Sequence, residues 1–571
     1  MSRVVKKTPS VCTDMPLNNA EVCAKLHLMK ELLRSCYGPT GRLKHIRNNI
    51  GGRVTTSSSS SVLLPALSSS QPLLNLIKSS ILNHISRFSD CGLFAAIFCL
   101  SLLEHVRQHE LRENLAIKVN KHCLSLCTSY LQREDCACRV KVNFCSSQNL
   151  MTLAGSIISS KPACLLTEAE KHHISTMVVR AFLQTIPCST PGPVTLGHTV
   201  TVTIVGLRVL DSAVFPGLLV EMYDPFDQTD SSSGPLRTVL FSTSLAGDLA
   251  ELGDGTIEVD PDVDTDLQVL NQLLELGKQL VEDEVRLCVC QKVIHPVLQQ
   301  YLRSHGVVVL ERLGMALMEP LSMLAGTQPV ATLHARILST AYGRVKNLST
   351  KQFGFKTMLH LQPEGEAAVC TMVLCHRNET MLDELKVVCQ KAEHGLRLTL
   401  KEPSALLGGG CTETHLSAYV KHKLFLLLQG QQEASESAAG LGCSPAEFLL
   451  GVKVFCRSLD MVARSLEHDG GTSVIDLNHA HHWTVSAGAT KEDMVGGLGL
   501  CGCGLVENSP STKWTFLNTE YAEFCPAPLL GDSCRKPTVL DSFTAKVNAL
   551  QVAVETANLV LDVRYIIEDV N

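Results

Sequence analysis

The sequence predicts an α+β multidomain fold, a mostly helical domain interrupted by an inserted α/β domain, and three observations predict it. The chain has 571 residues, well past the roughly 250–300 at which a single core stops growing. Apolar residues recur at helical spacing toward both ends. Between them, short apolar runs alternate with short helical patterns, the signature of an α/β unit.

The first helix starts at Asn18 or Asn19, whose side chains can accept free amide hydrogens, and Val22, Leu26, Met29 and Leu33 then share a face up to Gly38 and Pro39. Ser57 to Ser61 reads as a loop after a strand-like stretch at Val54. Phe94 to Val106 is helical, as is the stretch 150–185. In the middle, Val200 to Val205, Val239 to Phe241, Arg286 to Cys290 and Val307 to Leu310 read as strands. Helices are expected near Val297 to Arg303 and Leu317 to Leu324, and loops at Thr229 to Gly234 and Asp260 to Asp266. After about residue 366 long helices return, ending with Thr544 to Leu561, where Val547, Leu550, Val554 and Ala557 align. The two helical halves must therefore meet in space.

Bulk properties exclude some function classes. Hydrophobic residues make up 45% and charged residues 19%, and a net charge of -6 gives no general pull toward nucleic acid or acidic membranes. The start, Met1 to Pro9, lacks the apolar core of a signal peptide, and the longest apolar run, Gly92 to Leu103, is too short to span a bilayer. A soluble intracellular chain is expected, with no nucleic-acid partner and no membrane insertion. Its 24 cysteines are diluted through a long sequence, so reduced and mostly buried thiols are expected rather than a disulfide scaffold. Cys136/Cys138, Cys288/Cys290 and Cys501/Cys503 are separated by one residue, unlike the two-to-four-residue zinc knuckle. No zinc or haem is expected, and His479, His481 and His482 read as a polar loop.

Three separated segments suit a nucleotide: Tyr37 to Arg42 with Gly38, Pro39, Thr40 and Gly41; Ser89 to Gly92 with Asp90 leading into a helix; and Gly408, Gly409 and Gly410 running to Glu413. Glycines let the backbone approach a ligand closely, and a helix start offers unpaired amides to phosphate. Each alone also suits an ordinary turn. A fourth candidate, Gly192 to Thr199, has the spacing of a phosphate-binding P-loop through Gly192, Gly197 and Thr199. There His198 replaces the essential lysine, Pro193 removes an amide donor, and the segment lacks the strand-loop-helix context.

In this order and spacing the segments resemble group II chaperonins, and the match covers nearly the whole chain. Tyr37 to Lys44 resembles the family's L-G-P-x-G-M-D-K loop, Ser159 to Lys161 its S-S-K hinge, and Cys290 to Lys292 its C-Q-K. Gly408 to Glu413 resembles G-G-G-x-x-E near base and ribose, and Ala549 to Asp562 the closing A-x-x-x-A-x-E-x-A helix. The resemblance implies an equatorial nucleotide-binding domain at 1–145 and 405–571, a small intermediate domain at 146–198 and 366–404, and an apical client-binding domain at 199–365. It implies ATP with Mg as the cofactors of an intact site, Asp90 being the metal ligand if nucleotide binds. Segment details resemble a chaperonin-like branch that helps assemble the ciliary Bardet-Biedl complex. That branch implies as partners the complex subunits, other chaperonin-like Bardet-Biedl proteins and the cytosolic group II chaperonin. It places the chain in the cytoplasm, at centrosomes and basal bodies, with the nucleus left open.

Departures from the family pattern decide the expected chemistry. The three acidic positions with which the family hydrolyses ATP fall here on Ser59, Asp90 and Lys391, and Cys91, Gly92 and Leu93 replace its G-T-T. Losing two carboxylates impairs phosphoryl transfer more than nucleotide affinity, so no intact catalytic set is expected. Lys391 either pairs with Asp90 or a phosphate, or is a helical lysine facing solvent. Two readings stay open beside this one: a slow ATPase subunit of a ring, and an interaction module with an empty pocket. Client binding is expected on the helix after Cys290, through Val293, Val297, Leu298 and Leu302, with His295, Gln299 and Arg303 setting polar preferences. The same helix also suits covering its own sheet. Whether the terminal segments Val5 to Val11 and Val563 to Val570 pair with neighbours or stay as free edges is open.

Overall fold

The computed structural model describes residues 11–47, 54–187, 196–221, 234–247, 265–331, 336–365, 369–429, 440, 442–488, 498–509, 512–517 and 535–568. They divide into two compact units, one of residues 1–175 and 383–571, the other of 176–382. This division distributes the segments 146–198 and 366–404 between the two. Gly192 and the segments Thr229 to Gly234 and Asp260 to Asp266 lie wholly or mostly outside the described residues.

The larger unit is built around the helix Gly92–Gln108, apolar on every side and buried along almost its whole length. Such a helix must be covered all round. It is covered by Ala20–Arg34, Pro72–Phe88, Pro445–Arg464 and Phe543–Asp562, with Phe98 edge-on to Phe455 at 5.5 Å between ring centres. The predicted first helix is capped by Asn19, whose Oδ1 accepts from the amides of Glu21 and Val22. Pro445–Arg464 starts on a reciprocal Ser444/Glu447 capping box. Ser60 and Ser61, expected in a loop, instead open the short helix Ser60–Ala66. The stretch 150–185 resolves into two helices, Ser147–Ser159 and Glu168–Gln184. Near the termini, Val11–Asp14 pairs antiparallel with Tyr565–Glu568 of the same chain.

In the smaller unit, Leu236–Phe241, Leu287–Cys290 and Val308–Leu310 form a parallel sheet, with Tyr342–Val345 antiparallel at its edge. The helices Pro296–Ser304 and Met315–Ala325 accompany it. Return to helices after residue 366 is only partial. The strands Val369–His376, Ser404–Leu407, Thr472–Asp476 and His482–Val485 intervene. The first three are buried on both faces, so they show no period-two alternation for a sequence reading to catch.

Among the described residues every cysteine is a free thiol and most are buried. No helix among them is long and apolar enough to cross a membrane.

Candidate functional site

Three chain-distant loops converge in the larger unit. The first, Tyr37 to Arg42, is tied down by His468 Nε2 on the Tyr37 carbonyl (2.7 Å) and by the Thr40 hydroxyl donating to the Leu466 carbonyl (3.4 Å). Gly38 takes φ +83°, and a Cβ there would lie 2.7 Å from Leu466, so glycine is required. The second loop enters the central helix through Ser89 and Cys91, both at φ 60° although neither is glycine. His84, stacked on Phe88, is bonded through Nε2 to the Asp90 carbonyl oxygen (2.8 Å) and so fixes this turn. A Cβ on Gly92 would strike Ser60 Oγ and Ile85, which brings the serine segment against the same helix start.

The third loop serves packing before ligand. A Cβ on Gly408 would meet Val539, one on Gly409 the backbone of Gly502, and one on Gly410 the ring of His482. These glycines let protein segments touch backbone to backbone. What the loop delivers to the site is Glu413, just inside the helix Cys411–Gln429.

Glu413 belongs to a charged cluster that sequence reasoning missed. Lys546 donates to Glu413 Oε1 and to Asp541 Oδ2 (3.0 Å), while its ammonium lies 4.2 Å from the centre of the Phe94 ring. Burial opposes the Lys546 charge, but Asp541 and Glu413 outweigh it and hold its pKa well above the usual lysine value. Burial pushes the Tyr37 phenol well up, and its field is shared by Lys546, Glu413, Asp541 and Cys91. Residues from all three predicted loops thus surround one ion cluster. Glu413 Oε2 is buried and has no hydrogen-bond partner among the described residues, leaving an acceptor for a ligand hydroxyl.

The three positions aligned with the family's acids are linked through Glu384 and Lys391. Ser59 donates to Glu384 Oε1 (2.9 Å), and Ser57 to Glu384 Oε2 (2.7 Å). Glu384 sits seven residues before Lys391 on the helix Glu379–Lys401, so both occupy one face. Lys391 is only 5% exposed, which overturns the solvent-facing reading. Burial and the neighbouring Lys161 lower its pKa from 10.5 to about 8, against the opposing pull of Asp90 and Glu384. It lies in the field of Asp90, yet forms no ion pair within 4.0 Å among the described residues.

Other expected sites come out differently. Gly197, His198 and Thr199 lead into the strand His198–Val205, so they lack the helix start a P-loop requires. Leu298 and Leu302 are fully buried in their own unit's core, because the helix spends its apolar face on its sheet. Of the four proposed client residues only Val297 is exposed, and Val293 is half-buried. His481 and His482 are buried rather than part of a polar loop, with His482 opening a strand.

A family model described as TCP-1/cpn60 chaperonin matches residues 29–571. The chain is 45% identical, over 585 aligned positions covering all of both chains, to a Homo sapiens protein named Molecular chaperone MKKS. It is 46% identical over 579 positions, again covering all of both, to the Mus musculus protein of that name. Thermosome subunit 1 of Haloferax volcanii is 22% identical over 469 positions, covering 79% of this chain and 77% of that one.

Proposed function

The chain belongs to the TCP-1/cpn60 chaperonin family and its role is chaperonin-like; from that premise we propose that it is an assembly chaperone that holds a nucleotide without hydrolysing it. The observation that carries this reading is that Lys391 lies in the fields of Asp90 and Glu384 while Ser59 is bonded to Glu384, so a hydroxyl and an ammonium stand where two carboxylates would be needed. Phosphoryl transfer needs a metal held by carboxylates and an oriented water, and this donor set supplies neither. Magnesium does not fit it. A hard divalent cation seeks several oxygen ligands, whereas Asp90 lies in the field of an ammonium, and Glu384 already accepts two serine hydroxyls.

Lys391 and Lys161 instead offer two positive charges in each other's field, suited to phosphate oxygens. The free Oε2 of Glu413 suits a ribose hydroxyl. By its motif resemblance to a chaperonin-like branch, the clients would be subunits of the Bardet-Biedl complex, with chaperonin-type proteins as partners, at centrosomes and basal bodies in the cytoplasm.

The test is an equilibrium titration with ATP and ADP, with magnesium and with chelator, run beside affinity capture of the full chain. Binding that is unchanged by chelator and at least about tenfold weaker in Lys391→Glu supports the reading. Binding that vanishes without magnesium, or capture that recovers no chaperonin-type or Bardet-Biedl subunit, contradicts it.

A further inference from the structure

In the larger unit, away from Lys391 and Asp90, four side chains from three distant segments aim at one point. Cys411 begins the helix after the glycine triplet, His481 precedes the strand His482–Val485, and Cys501 and Cys503 lie on one turn. All four are buried, and their ligand atoms lie within 4.8 Å of one another. Cys501 Sγ is 3.3 Å from Cys503 Sγ and 3.3 Å from His481 Nδ1, and Cys503 Sγ is 3.4 Å from that same nitrogen. We propose that Cys411, His481, Cys501 and Cys503 form a tetrahedral structural zinc site.

The geometry favours a metal over a bond or a chance cluster. The sulfurs are too far apart for a disulfide, which needs about 2.05 Å. They are close to the roughly 3.5–3.8 Å between ligand atoms set by tetrahedral Zn–S and Zn–N lengths. Three thiolates with one imidazole are the soft donor set that selects zinc, and four protein ligands close the coordination sphere as structural sites do.

The surroundings match. The Val506 amide donates to Cys501 Sγ (3.2 Å) and the His482 amide to Cys411 Sγ (3.5 Å), the outer bonds that stabilise thiolate ligands. Asp476 Oδ1 accepts from the His481 amide (2.7 Å) and holds that backbone in place. Gly504 at φ +76° closes the turn by donating to the Cys501 carbonyl.

One-residue spacing argued against zinc only while Cys501 and Cys503 were considered alone. The other two ligands arrive from residues 411 and 481. Gly409 and Gly502 make this approach feasible, since a Cβ on either would lie 2.1 Å from the other's carbonyl oxygen. The ion would staple the base of the third loop to the Cys501 turn, which in turn receives the Thr538 and Val539 amides on the Cys503 carbonyl. The site would be a structural cross-link and would take no part in turnover.

The test is metal analysis of the full chain purified under reducing conditions without added metal, followed by cobalt exchange. One zinc per chain is expected, with the intense visible absorption of tetrahedral thiolate-bound cobalt after exchange. Cys501→Ser and His481→Ala should each weaken zinc retention against a competing chelator at least about tenfold. Cys288→Ser, in another one-residue pair, should leave retention unchanged. If the site variants do not fold, the wild-type stoichiometry and cobalt spectrum decide alone. Absence of stoichiometric metal, iron or copper in place of zinc, or an octahedral cobalt spectrum would overturn the proposal.

Discussion

Replacing Lys546 by methionine is expected to lower the stability of the larger unit by about 3–5 kcal/mol at pH 7. Lys546 is buried against Glu413 and Asp541, and a methionine of similar length fills the space without neutralising either. Two carboxylates are then left in a poorly solvated place, and the face of Phe94 loses its cation. The size follows from the asymmetry of buried pairs: removing one partner exposes the full desolvation penalty of the other. Lys546→Met combined with Glu413→Gln should therefore recover much of the loss.

The pH dependence has a definite sign. Burial already raises the Asp541 pKa above 3.8 in the intact cluster. Without the ammonium, the Asp541 carboxyl is pushed higher still. The folded variant then holds more protons than the unfolded chain, and its stability falls as pH rises. The deficit should grow between about pH 4 and 7, the span above the ordinary carboxyl range. Denaturant midpoints at several pH values measure it; a deficit independent of pH would contradict the cluster's role.

Lys391→Met should act in the opposite direction, stabilising the protein by about 2 kcal/mol at pH 7. Lys391 carries a buried charge without an ion pair among the described residues, in the field of a second ammonium at Lys161. Its folded pKa of about 8 lies below its ordinary 10.5. Between those values the unfolded chain binds more protons, so the wild type gains stability as pH rises. The variant should lack that gain, and its advantage should shrink across the same window. A variant that is less stable at pH 7 would mean that Lys391 holds the fold together instead of serving an anion.

Much of this was legible in the sequence, for definable reasons. The helices Ala20–Arg34 and Gly92–Gln108 announce themselves through a cap and an apolar pattern, both local signals. The three loops and the positions Ser59, Asp90 and Lys391 were legible through glycine spacing and family order. What stayed hidden depends on long-range placement. Glu384 offers one weak hint, its seven-residue offset from Lys391 on a helix, but nothing local links it to Ser57 and Ser59. Asp541 and Lys546 look like ordinary charges near a helix start until Glu413 arrives from more than a hundred residues away.

Burial caused the other misreadings. Leu298 and Leu302 form an apolar edge that suits a client or a sheet equally well in sequence, and only packing assigns it to the sheet. His481 and His482 are polar by type, yet they are placed inside by the chain around them. Tertiary context, not propensity, decides such positions.

The central claim is that this site compensates phosphate charge without splitting ATP, and phosphate release by the purified full chain tests it most directly. Wild type and Asp90→Ala should release phosphate at the same background rate, with magnesium present and ATP bound. Sustained release by the wild type that Asp90→Ala abolishes would contradict the account and make the chain a working ATPase.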